Sequence, residues 1–175
     1  PETKNINLIK KQNKILFDSI VYFSTNIDYN FLITYPGDDF NSKHIIDEYK
    51  VLSKNINNIY LRKNLGQNLY FNCLNHFNLI IGNSSSGVLD APYFDIHILN
   101  LGERQKNRVL SNKIINLKFN KNSIIKAISK KVRIKKKIKN FSLKPKKFTS
   151  EKIIKQIKIF LKNKKIQYPF YETLK

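Results

Sequence analysis

Residues 79–108 read LIIGNSSSGVLDAPYFDIHILNLGERQKNR, and this stretch decides the expected fold. The apolar run at 79–81 predicts a strand buried on both faces, and the next two residues predict a turn. Ser84, Ser85 and Ser86 then open a helix. Because the first turn of a helix has unpaired N–H groups and a partial positive charge, hydroxyl side chains at this point predict a seat for phosphate.

A carboxylate follows the serines at helical spacing. Asp90 lies four residues beyond Ser86, so we expect it on the same helix face, one turn further along. Its negative charge rules out a role in binding phosphate, but it can accept hydrogen bonds from the hydroxyls of a sugar diol. The alternative interpretation is that the serines form an ordinary helix cap with no ligand.

The second half of the stretch supplies positive charge. Asp95 to Leu101 predicts the next strand, and the loop GERQKNR after it carries Arg104, Lys106 and Arg108. Ligands in open α/β sheets bind outside the carboxyl ends of the strands, so the serine turn and this loop should line one crevice. The combination suits a nucleoside diphosphate, although a basic loop can also be simply solvated.

Helix and strand patterns alternate through the rest of the chain. Helices are predicted over 6–23, 42–52, 67–76, 123–131 and 150–162, and further strands over 31–35, 59–61 and 113–117, the last at a sheet edge. This alternation predicts an α/β fold with a doubly wound parallel sheet. We expect one domain over 1–163, with a linker at 141–147 and a basic C-terminal tail at 164–175.

Several motifs also occur in the order found in a known family. GNSSSGVLDAP and HILNLGERQKNR resemble the C-terminal half of the hydrolysing UDP-N-acetylglucosamine 2-epimerases, which serve the synthesis of sialic and related nonulosonic acids. PETKN at the start resembles the HPET segment of that family without its histidine. YPGDDFNS, KNLGQNLYFNCL and FTSEKIIKQI resemble further family segments. The resemblance implies the Rossmann-like C-terminal domain of a two-domain, GT-B-type fold.

The resemblance also implies a role for individual residues. Ser84 and Ser85 correspond to serines that hold the diphosphate of UDP. Asp90 corresponds to the acidic residue that holds the ribose hydroxyls, and Arg104 to an arginine that lies against the uracil and its ribose. These roles agree with those that the residue types and their spacing suggest.

Weaker expectations concern residues around this set. Ser86 adjoins the phosphate serines, the loop at Asn64 and Leu65 offers backbone to the uracil, and the loop at Gly37 approaches the nucleotide. The chain departs from the family pattern in two places. Where the family usually has glutamate it has Asp90, so the carboxylate lies one methylene further from the ribose, and where the family usually has asparagine it has Gly37, so a side-chain contact is lost.

The reaction implied by the resemblance is UDP-N-acetylglucosamine plus water to N-acetylmannosamine plus UDP. It proceeds by anti elimination of UDP across C1 and C2 and then hydration, so it needs an acid and a base but no cofactor or metal. In the family the main catalytic carboxylates come from the N-terminal domain. We therefore expect a fragment that is inactive alone, whose partners are the UDP-sugar, the missing N-terminal domain and, at full length, a second copy in a homodimer.

No side chain of this chain is a confident catalytic residue. Asp38 and Asp39 are typical turn formers. His44 is expected on a surface helix, His76 at a helix end and His97 within a strand, which favours structural or solvated roles for all three.

Composition sets further bounds. The formal net charge is +21, but much of the excess lies in KVRIKKKIK at 131–139 and in the lysines at 144–165, which are typical of a solvated surface. We therefore expect no specific nucleic-acid partner, although salt-sensitive adsorption is expected. The single Cys73 favours a reducing compartment, and the absence of a long apolar run or signal-like start favours a cytoplasmic protein with no membrane partner.

Four other functions stay open at this point. The same chemistry on UDP-N,N'-diacetylbacillosamine, in legionaminic acid synthesis, needs contacts that come largely from the absent half. A non-hydrolysing epimerase typically carries DSGG where this chain has NSSSG, and the GNSSSG and GERQ combination argues against a GT-B glycosyltransferase. A basic nucleic-acid-binding protein would present aromatic residues on a basic face, whereas most aromatic residues here fall on core-like positions.

Overall fold

The computed structural model describes residues 4–27, 29–38, 42–106, 108, 111–132 and 149–162. The chain forms two compact units that divide after Phe141. The elements of the first unit are α1 (Ile6–Asn26), β1 (Phe31–Thr34), α2 (Ser42–Asn55), β2 (Ile59–Arg62), α3 (Gly66–His76), β3 (Leu79–Gly82), α4 (Ser85–Leu89), β4 (His97–Leu101), β5 (Ile114–Leu117) and α5 (Lys121–Val132). A short 3-10 turn, Ala91–Tyr93, follows α4. In the second unit the structure describes one helix, α6 (Thr149–Lys162), whose side chains at 150–161 are exposed.

The predicted helices and strands are confirmed in type and order, with ends that differ by a few residues. The strand expected from Asp95 begins instead at His97, because parallel pairing with β3 starts where His97 lies opposite Leu79. The linker expected at 141–147 and the tail at 164–175 lie outside the described residues.

All strand pairs in the described part of the chain are parallel, as predicted. β1 pairs with β2 in one sheet, and β3, β4 and β5 form a second in that order, with β5 at its edge. Parallel strands need crossover connections: α2 supplies the one between β1 and β2, α4 and its 3-10 turn the one between β3 and β4, and the loop after β4 leads to β5. The carboxyl ends within each sheet therefore lie along one edge.

Helices cover both faces of the three-stranded sheet. Ile98 packs in an apolar cluster with Leu74 of α3 and Val88 of α4. The next residue along β4, Leu99, packs on the other face with Phe23 of α1 and with α5. Because successive side chains of a strand point to opposite faces, this alternation shows the doubly wound arrangement expected from the sequence.

α1 shows why the local sequence forms these elements. Asn5 caps its start, since the side-chain oxygen accepts a hydrogen bond from the N–H of Leu8 at 3.1 Å. Its buried face carries Ile9, Ile20 and Phe23 at helical spacing, and Phe23 has no exposed surface. The helix thereby anchors the face of the sheet opposite α3 and α4.

Two expectations from composition can be compared with the described residues. No helix among them is long and apolar enough to cross a membrane. Cys73 is a half-buried free thiol, and desolvation raises its pKa. A raised pKa keeps the thiol protonated near neutral pH, which is typical of a structural rather than a reactive cysteine.

Candidate functional site

A cavity of about 900 Å³ runs along the strands, from residues at their amino ends, such as Phe31 and Leu79, to residues that follow their carboxyl ends. Its lining includes residues that follow four different strands: Gly37 after β1, Leu65 after β2, Ser84, Ser86 and Gly87 after β3, and Arg104 after β4. The structure thus brings the serine turn and the basic loop to one cavity, as the sequence predicts. Ser85 and Asp90 adjoin this lining in sequence but are not part of it.

The serine turn differs from an ordinary helix cap. Ser84 occupies the N-cap position of α4 with extended backbone angles, yet its side chain makes no capping hydrogen bond. Its Oγ lies 3.0 Å from the Oγ of Ser86, so the two hydroxyls form a pair beside the cavity. A Ser84 side chain that does not cap its own helix keeps hydrogen-bonding capacity for a ligand.

The helix behind the serines is short. α4 spans five residues, so the partial charge of a long helix contributes little here. Local N–H groups and the hydroxyls are the main donors to an anion at this turn. The prediction that the three serines open a helix is confirmed, with Ser84 as the N-cap and Ser85 as the first helical residue, whereas the phosphate role of the serines stays a prediction.

Asp90 lies one helical turn after Ser86, since its backbone N–H donates to the Ser86 carbonyl at 3.0 Å. The side chain is half-buried, and desolvation raises the pKa of its carboxyl group above the usual value. Keeping a desolvated carboxylate at this place costs stability. The ribose contact predicted for Asp90 stays a prediction.

Tyr70 of α3 is a neighbour that the sequence did not reveal. Its hydroxyl is buried beside Ser86 and Asp90, without a hydrogen bond of normal geometry to the described residues. Desolvation raises the pKa of Tyr70, the Ser86 hydroxyl opposes this rise, and the Asp90 charge adds to it. The only signal in the sequence was its place in the segment KNLGQNLYFNCL.

The basic loop leaves the end of β4 through Gly102. This glycine has a φ of +74°, and its N–H donates to the carbonyl of Leu117 in β5 at 2.8 Å. Arg104 follows as an exposed residue that lines the cavity. Lys106 instead pairs with Glu103 at 3.3 Å, and Arg108 is exposed outside the lining. Of the three predicted basic residues, Arg104 alone reaches the cavity.

Gln105, next to Arg104, is almost fully buried although it lies in a basic loop. Its exposed fraction is 2%, and its side-chain Nε2 donates to the carbonyl of Asn83 at 2.9 Å. Asn83 immediately precedes Ser84, so this hydrogen bond ties the basic loop to the serine turn. Sequence reasoning assigned no role to Gln105.

The loop after β2 has a defined conformation. The N–H of Gly66 donates to the side-chain Oδ1 of Asn64 at 2.6 Å, and Gly66 has a φ of +64°. Leu65 is held between them and lines the cavity. The position of Leu65 in the cavity lining agrees with the expectation that this loop approaches the nucleotide. The backbone contact to uracil stays a prediction.

The comparison with known proteins now identifies the family. The model of the family described as UDP-N-acetylglucosamine 2-epimerase matches residues 9–162. The chain belongs to this family.

Similar proteins in the family come from several bacteria. GDP/UDP-N,N'-diacetylbacillosamine 2-epimerase (hydrolyzing) of Campylobacter jejuni is 31% identical over 113 residues, which are 65% of this chain and 27% of that protein. Polysialic acid biosynthesis protein P7 of Escherichia coli is 29% identical over 129 residues, 74% of this chain and 32% of that protein. UDP-N,N'-diacetylbacillosamine 2-epimerase (hydrolyzing) of Legionella pneumophila is 28% identical over 114 residues, 64% of this chain and 29% of that protein. The matched part of this epimerase-family chain thus spans about a third or less of these relatives.

The two loop aspartates and the three histidines were not predicted to be catalytic, and those that the structure describes lie in the elements expected for them. Asp38 is exposed after β1, and Asp39 lies outside the described residues. His44 of α2 lies 3.3 Å from Glu48, one turn along the same helix. His76 ends α3 and His97 begins β4. Among the residues that the structure describes, no group of three His, Cys, Asp or Glu side chains could hold a metal ion.

Proposed function

We propose that this chain supplies the UDP-binding half-site of a hydrolysing UDP-N-acetylglucosamine 2-epimerase. The single observation that carries the proposal is that a non-capping Ser84 and Arg104 line the same cavity, in the part of it that lies beyond the carboxyl ends of the strands, in a member of this family. Hydroxyl groups can donate hydrogen bonds to the diphosphate, and a guanidinium adds positive charge and a flat face on which the uracil ring can stack. The order of the family motifs along the chain agrees with this placement.

Each residue has a distinct role in the proposal. Ser84 and Ser85 bind the diphosphate, and Ser86 orients the Ser84 hydroxyl through their 3.0 Å contact. Asp90 accepts from the ribose hydroxyls, and Arg104 lies against the uracil and its ribose. Gly37 and the Leu65 backbone complete the uracil end, in line with their place in the cavity lining.

The chemistry that we propose for the full-length protein divides between two halves. UDP leaves C1 of the sugar as the C2 proton is abstracted, and water then adds across the resulting double bond, its hydroxyl to C1 and a proton to C2, to give N-acetylmannosamine. The cavity residues of this chain can bind the departing UDP, whereas the acid and base come from the N-terminal domain. The isolated chain should therefore bind UDP weakly and turn over no substrate, and the active form should be a homodimer of the longer protein.

A second candidate substrate is UDP-N,N'-diacetylbacillosamine. The names of the relatives from Campylobacter jejuni and Legionella pneumophila favour it, since both are diacetylbacillosamine 2-epimerases. The two substrates share UDP and differ in the sugar. The half-site proposed here serves both of them, so UDP is the probe of choice for this chain.

Calorimetric titration of the 175-residue chain with UDP tests the proposal. We expect saturable binding that Ser84→Ala and Arg104→Ala each weaken by about tenfold, because charge-assisted hydrogen bonds contribute about 1.5–3 kcal/mol and exposure to water reduces that contribution. Ser111→Ala and Arg108→Ala are matched controls, because neither residue is part of the cavity lining. A single-stranded oligonucleotide measures adsorption by the +21 charge. The absence of heat with UDP, together with salt-resistant oligonucleotide binding, would favour the nucleic-acid interpretation instead.

A further inference from the structure

Two site loops, each carrying a proposed UDP contact, are joined by one buried side chain. The loop after β4 presents Arg104 to the cavity, and the turn after β3 presents Ser84. Gln105 follows Arg104, and its Nε2 donates to the carbonyl of Asn83, which precedes Ser84. The bond connects positions 22 residues apart in sequence, so it is a tertiary contact rather than part of a local turn.

The burial of Gln105 is unusual for its surroundings. Its neighbours Arg104 and Lys106 are exposed, whereas Gln105 retains only 2% of its accessible surface. Burying a primary amide is costly unless it is hydrogen-bonded. Its Oε1 is also buried and has no hydrogen-bond partner among the described residues. The protein therefore keeps a polar side chain at a place where an apolar one would avoid this cost.

A second buried amide lies beneath the same two loops. Asn100, the residue before the last of β4, lies opposite Gly82 of β3 and opposite Asn116 of β5. It is 3% exposed, and its Nδ2 donates to Oδ1 of Asn116 at 2.8 Å. This bond joins the carboxyl ends of β4 and β5, and the pairing of Asn100 with Gly82 joins β4 to β3, from which the serine turn begins. The two loops that Gln105 links therefore start from paired strand ends.

We propose that Gln105 is a positioning residue that holds the uracil side of the site and the diphosphate side at a fixed separation. The inference rests on the proposed UDP site. A ligand that spans both sides gains affinity because binding at one side raises the effective concentration at the other. That gain depends on a fixed separation, so the link matters for UDP but not for a ligand that occupies one side alone.

The proposal makes a specific prediction for the near-isosteric variant Gln105→Met, which keeps the side-chain length and removes the donor. UDP affinity should fall by up to about tenfold, because the net worth of the Gln105–Asn83 hydrogen bond, about 0.5–1.5 kcal/mol, limits how much it can contribute to holding the two sides in place. Uridine and inorganic pyrophosphate, which each occupy one side, should bind within about twofold of the wild type. Gln105→Glu, which cannot donate when ionised, should also weaken UDP binding. The exposed Gln156 of α6 supplies the matched control, Gln156→Met.

NMR titration measures all three ligands on the same samples, and a thermal melt checks that each variant is folded. Should the variants not fold, hydrogen exchange of the Gln105 side-chain amide in the wild type replaces them, with slow exchange that UDP slows further as the expected result. Undiminished UDP binding by Gln105→Met overturns the positioning role alone, as does an equal loss for UDP, uridine and pyrophosphate. Rapid amide exchange that UDP leaves unchanged also overturns it. Failure of the wild type to bind UDP overturns both this inference and the proposed function.

Discussion

Alanine in place of Gly66 should destabilise the protein, whereas alanine in place of Gly87 should stabilise it. Gly66 opens α3 with a φ of +64°, in the left-handed region. Gly87 lies inside α4, in an ordinary helical conformation. A Cβ atom built at either position meets no atom within 4 Å. Because the new methyl group has space at both sites, the backbone conformation alone decides the sign of the change.

The magnitude follows from that difference. An L-residue in the left-handed region costs about 1–2 kcal/mol, and alanine recovers about 0.5 kcal/mol by restricting the unfolded chain, so Gly66→Ala should lower the free energy of unfolding by about 1 kcal/mol. In a helix interior alanine is favoured over glycine by about 0.5–1 kcal/mol, and the shortness of α4 selects the lower end. The two variants should therefore differ by about 1.5 kcal/mol, which corresponds to about 5 °C in melting temperature.

Urea denaturation at 25 °C with a parallel thermal melt measures the effect. Both variants should keep the wild-type dependence on urea concentration and shift only the midpoint, in opposite directions. Two midpoints on the same side of the wild type, or a Gly66→Ala variant at least as stable as Gly87→Ala, would refute the reasoning from backbone angles. Gly66→Asn is a further check, since asparagine tolerates the left-handed region and should lose less stability than alanine does.

Three further predictions concern titration and packing. Asp90→Asn should raise stability at neutral pH, because burial raises the folded-state pKa of Asp90; this advantage should shrink as the pH falls through that pKa towards the unfolded value, and urea midpoints across pH 3–8 measure it. Burial, and to a lesser extent the charge of Glu48, raises the pKa of Tyr49 to about 12. Tyr49 should therefore ionise at higher pH than the other tyrosines in an ultraviolet pH titration, and Tyr49→Phe should remove that last step. Leu101→Ala should cost about 3 kcal/mol because Leu101 is fully buried, whereas Leu69→Ala, at a half-exposed position, should cost less than about 1 kcal/mol in the same urea experiment.

The fold could be predicted because the sequence is locally consistent. The strand patterns at 31–35, 59–61 and 79–81 are short and apolar, and helical patterns with polar faces separate them. Parallel pairing and cover on both faces then follow from the requirement for crossover connections. The start of β4 was placed too early because Asp95 and Ile96 continue the strand-like pattern, while pairing with β3 begins only at His97. Pairing depends on the partner strand, which a single segment does not reveal.

The candidate site could be predicted only in its outline. The serine turn and the basic loop follow neighbouring strands, so their shared cavity could be expected from topology. The burial of Gln105 could not, because a glutamine between Arg104 and Lys106 has the sequence pattern of a solvated loop. Tyr70 was missed for a related reason. Its hydroxyl approaches Ser86 and Asp90 only after α3 and α4 have packed on one face of the sheet.

In the proposed enzyme, the charged and polar groups around the cavity suit binding of the leaving group better than proton transfer. An elimination places negative charge on the departing diphosphate while a base removes a proton from carbon. Hydroxyl donors and a guanidinium stabilise the first of these changes, but the same positive charge lowers the pKa of a neighbouring carboxylate and so makes it a weaker base for the second. Asp90 is the carboxylate that the described residues place next to the serine turn, and the proposed ribose contact occupies it. In the proposed enzyme, proton transfer therefore falls to residues of the other domain. For that reason UDP binding, rather than turnover, is the property by which this chain should be judged.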